Sequence, residues 1–309
     1  MSEPYRNEVS FRQGLANTPR PRPGKEMTGA VHQHDDDATV VARNFETVFG
    51  RPPNLRNPTT FNEKIIYKMI HDRRPILTRM ADKLQARDYV AERIGADYLT
   101  RIHQVCRSPA EIDWQTLPDR FAIKANHGSG MNVLVLDKSA VDVRLISSHL
   151  ETWLAMNFYR SFREWAYRDI RPAIFIEELL TDRSGAMAAD WKFYTFDGRA
   201  EFLQVNLDRF GRSTRNDYDR RLNRLPFSGP HHPRSPTDPK FPSNLELMFS
   251  LAEVLGSGLD FIRVDMYNLE GRIVFGEFTC YPGAGLDRFD PAEFDELYGS
   301  KWRLPPRYG

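Results

Sequence analysis

Apolar residues recur at helical spacing from Val40 onward, in Phe61 to Ile70 and again in Met80 to Arg93. In the last of these Leu84, Tyr89, Val90 and Ile94 fall near one face, and Gly95 stops the helix. Leu99 to Val105 is strand-like. Arg120-Phe-Ala-Ile-Lys124 and Val133-Leu-Val-Leu136 predict two paired strands joined by Asn126-His-Gly128-Ser-Gly130-Met-Asn132. A long amphipathic region from Val143 to Arg168 carries Trp153, Tyr159, Trp165 and Tyr167, and Pro172 ends it. Ile174-Phe-Ile176 is a buried strand that runs directly into Glu177-Glu178. Trp191 to Phe196 and Ala200 to Val205 flank Asp197-Gly198, a hairpin turn signal. A helix over Leu245 to Leu255 precedes a closing hairpin, Phe261 to Tyr267 and Val274 to Thr279, with its turn at Gly271.

Three stretches lack any such period. Met1 to Thr39 is rich in Pro, Gly, Arg and Asp and reads as a disordered tail. Asp208 to Arg224 reads as a basic loop, and Pro226 to Pro242 as a proline-rich one, neither of them ordinary core. The chain of 309 residues is long enough for two domains or one large one, and 40% hydrophobic content supports a real core. A net charge of +1, from 43 basic and 42 acidic residues, gives no global case for nucleic acid or a membrane surface. Cys106 and Cys280 fit neither a disulfide framework nor a CxxC metal site, so a reducing cytoplasm is expected. No stretch is apolar enough to cross a bilayer and the N-terminus lacks a signal-peptide core. Any membrane contact is expected to be peripheral, at its inner face.

Candidate chemistry concentrates in the closing hairpin. Alternation puts Arg263 and Asp265 on one side of their strand and Glu277 and Thr279 on one side of the next. Facing carboxylates repel unless neutralised, and a hard divalent ion such as magnesium, itself holding phosphate oxygens, is one solution. Residue types alone favour the plainer alternative, an Arg–Asp pair on a solvated sheet edge. The loop His127-Gly128-Ser129-Gly130 has two glycines and a small hydroxyl, so its amides can approach an anion; otherwise it is a hairpin turn. Asp190 and Lys192 share a strand face, either as ligands or as partners in a cross-strand ion pair. His32-Gln-His34-Asp-Asp-Asp37 reads as a solvated tail and His231-His232 as a surface loop. Ser129 lacks the pattern of a nucleophile elbow. Asp217-Tyr-Asp219 fits the DxD pattern of metal-bound sugar nucleotides, which raises a glycosyltransferase as the rival reading, but it stands in an arginine-rich loop.

The order of these features is the strongest signal. Asp82-Lys83 at a helix start, Lys124 before a glycine loop, Glu177 after an apolar strand, Lys192, then Arg263/Asp265 and Glu277/Thr279 resembles the ATP-grasp superfamily. The block RVDMY then GEFTCYPG is similar to the end of D-alanine–D-alanine ligases. More narrowly, FNEKI, ADK, IKANHGSG, REW, WKFY and RVDMY…GEFT…PGAGL resemble the ATP-grasp amidoligases typified by teichuronopeptide-biosynthesis (TupA-like) proteins, over about Phe61 to Trp302.

The resemblance implies an α+β, ATP-grasp fold in which two α+β subdomains clasp ATP between antiparallel sheets behind a disordered tail. The corresponding division is tail 1–39, an N-terminal helical and α+β region 40–119, a glycine-loop lid subdomain 120–180, and a metal- and substrate-binding subdomain 181–309. Lys83 and Lys124 would hold phosphates, and His127, Gly128, Ser129 and Gly130 would close over them. Glu177 would meet the adenine amino group or the ribose while Glu178 stays exposed. Asp190 would meet ribose, and Lys192 a phosphate. Asp265 and Glu277 would carry Mg2+, with Thr279 where these ligases commonly have asparagine. Arg263 would stabilise the transferred phosphoryl group and the later tetrahedral intermediate.

The implied reaction joins a small-molecule carboxylate to an amine through an acylphosphate, with ATP and Mg2+ as cofactors. The family context is cell-surface polysaccharide or polypeptide synthesis. Arg209, Arg212, Arg215, Arg220 and Arg221 would then suit an anionic acceptor such as a uronic acid-containing precursor or an acidic peptide. A scaffold with a degenerate nucleotide fold is the third reading, and the joint presence of Lys124, Lys192, Asp265 and Glu277 argues against it.

Overall fold

The computed structural model describes residues 36–183, 185, 187–207, 214–227 and 233–308. Helix α1, Asp37–Phe49, starts where Asp36 accepts a hydrogen bond from the Thr39 amide, so the tail boundary expected at residue 39 moves back to the helix cap. Asp37 accepts from Tyr159 and pairs with Arg73 rather than joining a metal-binding run; His32 and His34 lie outside the described residues. Helix α2, Phe61–His71, opens with a capping box between Thr60 and Glu63. The periodic stretch after Met80 divides in two. Helix α3, Pro75–Ala81, ends on Asp82, and the same aspartate caps α4, Lys83–Ile94, by accepting from the Leu84 amide at 2.9 Å.

Two antiparallel sheets follow. The first holds β1 Ile102–Cys106, β2 Phe121–Ala125, β3 Asn132–Val135 and β4 Ile174–Glu178, in the order β1-β4-β2-β3. The second holds β5 Asp190–Phe196, β6 Arg199–Leu207, β7 Thr214–Asp219, β8 Phe261–Leu269 and β9 Arg272–Thr279, in the order β7-β6-β5-β8-β9. Helix α5, Val143–Ala155, covers only half of the expected amphipathic stretch. Beyond it the chain makes one short turn, α6 Tyr159–Phe162, and a 3-10 turn at Trp165–Tyr167, separated by Arg163 in the left-handed region at φ 59°. The segment expected to be an irregular basic loop contains β7, because its inward side chains are polar and the alternation is invisible to an apolar-period reading. Asn216, Asp217 and Tyr218 are buried there, whereas residues 208–213 lie outside the described residues.

Helix α7, Leu245–Gly256, packs the back of the second sheet, with Phe193 edge-on to Phe249. Phe61 at the start of α2 sits in an aromatic cluster with Phe261, Tyr298 and Trp302, which fastens α8, Glu293–Lys301, to the sheet. The approach is close enough that a Cβ on Gly299 would stand 2.2 Å from the Thr59 carbonyl oxygen and 2.8 Å from the Phe61 nitrogen. Ala for Gly inside a helix ordinarily stabilises by up to about 1 kcal/mol. At this position backbone must move instead, so Gly299→Ala is expected to destabilise by about 2 kcal/mol in urea unfolding. A stabilised variant would show that α8 does not rest on Thr59.

Candidate functional site

Cross-strand register gathers the charged residues. Asp217 on β7 pairs with Gln204, Gln204 with Lys192, Lys192 with Asp265 and Asp265 with Glu277. One lateral row of polar side chains thus crosses all five strands on the face opposite α7. The adjacent row contains Tyr194, Arg263 and Thr279. Alternation places each residue on this face, and pairing sets them side by side.

Asp265 is the centre of the row. Its Oδ1 accepts from Arg263 Nε at 2.7 Å, and its Oδ2 from Arg263 Nη2 at 2.7 Å and Lys192 Nζ at 2.5 Å. Burial opposes its ionisation, but Arg263 and Lys192 outweigh burial and hold the carboxyl below the usual range. Lys192 also lies 3.6 Å from Asp190 on its own strand, so its cross-strand ion pair is with Asp265 and its shared strand face is with Asp190. Arg263 Nη2 further donates to Thr279 Oγ1 at 2.8 Å and approaches Glu277 at 4.0 Å. Glu277 stays a third exposed at its side chain, the most open acid of the set.

Lys83 links this face to the glycine loop. Its ammonium donates to the Gly128 carbonyl at 2.6 Å and lies 3.6 Å from Glu277, while its amide donates to the Asn126 carbonyl at 3.1 Å. Burial lowers its pKa, Glu277 opposes that, and nearby Lys124 adds to it. The loop is rigid at its root. Asn126 donates to Asp82 at 2.9 Å and accepts from the Ala173 amide at 2.7 Å. The His127 imidazole is buried, meeting the Trp153 carbonyl at 2.9 Å and the Asn126 side chain at 3.2 Å. That places its ring inside the protein rather than over a ligand, a departure from the lid role expected for it. Gly128 is buried too, and Ser129 and Gly130 alone form the exposed tip.

On the first sheet Lys124 forms an ion pair with Glu177, its diagonal neighbour across β2 and β4. Glu177 also accepts from Thr100 Oγ1 at 2.5 Å and lies 3.6 Å from Arg87. Sequence reasoning missed Arg87, although it stands one helical turn after Lys83 on the same face of α4. Glu178 is not simply exposed. It takes both terminal nitrogens of Arg272, at 2.5 and 2.9 Å, and ties β4 to β9. Burial raises the Glu177 pKa, yet Lys124, Thr100 and Arg87 more than offset it and the net direction is downward. Its contribution to stability is therefore complete above the ordinary value of 4.5 and is lost as pH falls through the depressed folded value. Glu177→Gln is expected to unfold about 3 kcal/mol more easily at pH 7, with the gap closing in acid. Parallel pH profiles would contradict this.

The DxD pair is already committed: Asp217 to Arg215, at 2.6 and 2.8 Å, and Asp219 to the Arg221 and Asn223 amides. Arg220 pairs with Glu246 over Phe249, on the α7 side of the sheet. Arg209, Arg212, His231 and His232 lie outside the described residues. Among the described residues no three His, Cys, Asp or Glu side chains cluster as a self-sufficient metal cage.

A sequence model described as TupA-like ATPgrasp matches residues 63–303. The chain belongs to the TupA-like ATPgrasp family. Its two antiparallel sheets with flanking helices are the ATP-grasp fold in this member of the family. Similar solved structures include the D-alanine–D-alanine ligase of Bacillus anthracis complexed with ATP, at 16% identity and a TM-score of 0.40, covering 67% of this chain and 56% of that one. The Helicobacter pylori D-alanine–D-alanine ligase also gives 16% and 0.40, covering 74% and 62%. A RimK-domain ATP-grasp protein of Sphaerobacter thermophilus gives 12% and 0.40, covering 73% and 69%. The chain thus spans about three fifths of the length of the two D-alanine–D-alanine ligases. No curated protein matches this TupA-like chain.

Proposed function

We propose that this protein is an ATP- and magnesium-dependent carboxylate–amine ligase. The observation that carries the reading is the meeting of Lys192, Arg263, Asp265 and Glu277 on one sheet face, with Lys83 joining that face to the glycine loop. The donor set suits magnesium. Magnesium takes one or two carboxylates and completes its shell with water and phosphate oxygens, so Asp265, Glu277 and the Thr279 hydroxyl need no third acid. When bound, the ion would screen the triphosphate charge that repels an attacking carboxylate.

The residues divide the remaining work. Lys83, Lys124 and Lys192 supply compact charges to phosphate oxygens, exchanging their present carboxylate partners for them. Ser129 and Gly130 offer backbone amides at the exposed loop tip. Glu177 and Asp190 serve the adenine or ribose end. Arg263, preorganised by Asp265 and Thr279, neutralises charge on the transferred phosphoryl group and then on the tetrahedral adduct. A substrate carboxylate oxygen bonds to the γ-phosphorus as its bond to ADP breaks; an amine then bonds to the acyl carbon, loses a proton and expels phosphate. His127 has no place in this list, because its ring anchors the loop.

The resemblance to teichuronopeptide-biosynthesis proteins supports a place in cell-surface polysaccharide or polypeptide synthesis, and the buried free thiols Cys106 and Cys280 are in keeping with a cytoplasmic site. No helix among the described residues is long and apolar enough to cross a membrane. Incubation with ATP, magnesium and pools of acids and amines, read by phosphate release and by mass spectrometry of an amide, tests the reading. Failure of the protein to bind MgATP would remove it.

A further inference from the structure

A cavity of about 600 Å³ opens at the far end of β5 from the proposed nucleotide site. Asp197 in its wall stands five residues beyond Lys192, roughly 17 Å along an extended strand, so the two regions are separate. The other walls are the loop at Arg56, the α2 residues Lys64 and Tyr67, the end of α8, and the C-terminal strap from Arg303 to Pro306.

These walls are held in place. One carboxylate pins the strap at both ends, because Trp302 Nε1 donates to Asp260 Oδ2 at 3.0 Å and the Tyr308 hydroxyl donates to the same oxygen at 2.9 Å. Pro305 and Pro306 stiffen the span between them. Lys64 is fixed as well, its Nζ donating to the Gly299 carbonyl at 2.8 Å and the Trp302 carbonyl at 2.6 Å. It is the lysine of the FNEKI string, to which the nucleotide site assigns no work. The cavity is therefore preformed, and its volume is that of a small-molecule site.

Four lining residues are cationic, Arg56, Lys64, Lys301 and Arg303, against one acid, Asp197. Arg56, Lys301 and Arg303 are exposed, and Lys301 also pairs with Glu201 at 3.4 Å. A wall of this charge favours a ligand that concentrates several negative charges over a few atoms. Adjacent phosphates do so, and both guanidinium forks and an ammonium bind their oxygens. A polycarboxylate spreads the same charge over more atoms. The volume exceeds what two phosphates fill, and Tyr67, Leu304 and Pro305 give an apolar side for an organic group. We propose that this cavity binds a small diphosphate ester, at a site apart from the nucleotide cleft. The proposal goes beyond the ligase reading and does not depend on it.

Uridine diphosphate, inorganic pyrophosphate and citrate are the probes, titrated by calorimetry into the full chain at physiological salt, which screens loose surface attraction. Magnesium is left out because it would sequester them. Uridine diphosphate is expected to bind at least as tightly as pyrophosphate and at least tenfold more tightly than citrate. Arg56→Ala and Arg303→Ala, both at exposed positions, should together weaken uridine diphosphate at least tenfold while circular dichroism stays unchanged. Lys192→Ala, on the nucleotide face, should leave that affinity within twofold. Five results overturn the proposal: no binding to the wild type, citrate as tight as uridine diphosphate, pyrophosphate tenfold tighter than the ester, unchanged affinity in the folded double variant, or an equal loss in Lys192→Ala.

Discussion

Asp265→Asn is expected to reduce ATP-dependent phosphate release by roughly a thousandfold, within the range seen when one preorganised electrostatic group is removed from an active site. Both oxygens of the native carboxylate accept from cations, Arg263 on each and Lys192 on Oδ2. An amide has only one acceptor oxygen. Its NH2 would face an N–H donor, and the buried pair of cations would lose the charge that holds them together. The same substitution removes a carboxylate from the proposed magnesium set. Secondary structure should persist, because residue 265 keeps its ladder pairing to β5 and β9. Steady-state phosphate release together with far-UV circular dichroism checks the result. A rate within twofold of wild type, on a folded variant, would place the chemistry elsewhere.

The largest stability effect is expected far from that face. Lys68 is fully buried and donates to Asp72 at 2.9 Å and Asp260 at 2.7 Å; Arg74 reaches the same two acids at 2.6 and 2.8 Å. Trp302 Nε1 and the Tyr308 hydroxyl complete Asp260, at 3.0 and 2.9 Å. Burial, with Asp260 beside it, drives the Tyr308 phenol well above its ordinary range, so this donor stays protonated. Two cations balance two anions in this cluster, which lashes α2 to the loop before β8 and to the C-terminal segment. Lys68→Met preserves volume but leaves one buried carboxylate uncompensated, at a cost of about 3–5 kcal/mol. That is a large fraction of a typical domain's stability. Adding Asp72→Asn restores charge balance and should recover part of the loss. Urea unfolding of the single and double variants measures both, and a double variant no more stable than the single one would show that packing, not charge, governs the site.

Local signals were legible wherever one chain segment decides the outcome. Asp197-Gly198 and Gly271 mark hairpins because their backbone must take positive φ, and all three residues do so. Asp82-Lys83 reads as a helix start because the aspartate caps the following amides. Arg263 and Asp265 share a face simply by standing two residues apart on a strand. The edge strand β7 was hidden for an equally physical reason. Arg215 and Asp217 put charge on the inner face, so the period of two is present but not in hydrophobicity. For His127 the resemblance implied a place in the loop that closes over the phosphates, and only the tertiary structure shows its ring nitrogens meeting the Asn126 side chain and the Trp153 carbonyl.

By itself the sequence determined the strands other than β7, the starts of α2, α4, α5 and α7, the hairpin turns and the order of charged motifs that marks the family, since these depend on neighbours a few residues apart. Tertiary structure alone decided that Lys192 meets Asp265, that Lys83 bridges the Gly128 carbonyl and Glu277, and that Gln204 and Asp217 extend the same row. Strand order and register set those meetings. They follow from burying both sheets around one core, a condition on the whole chain that no short segment carries.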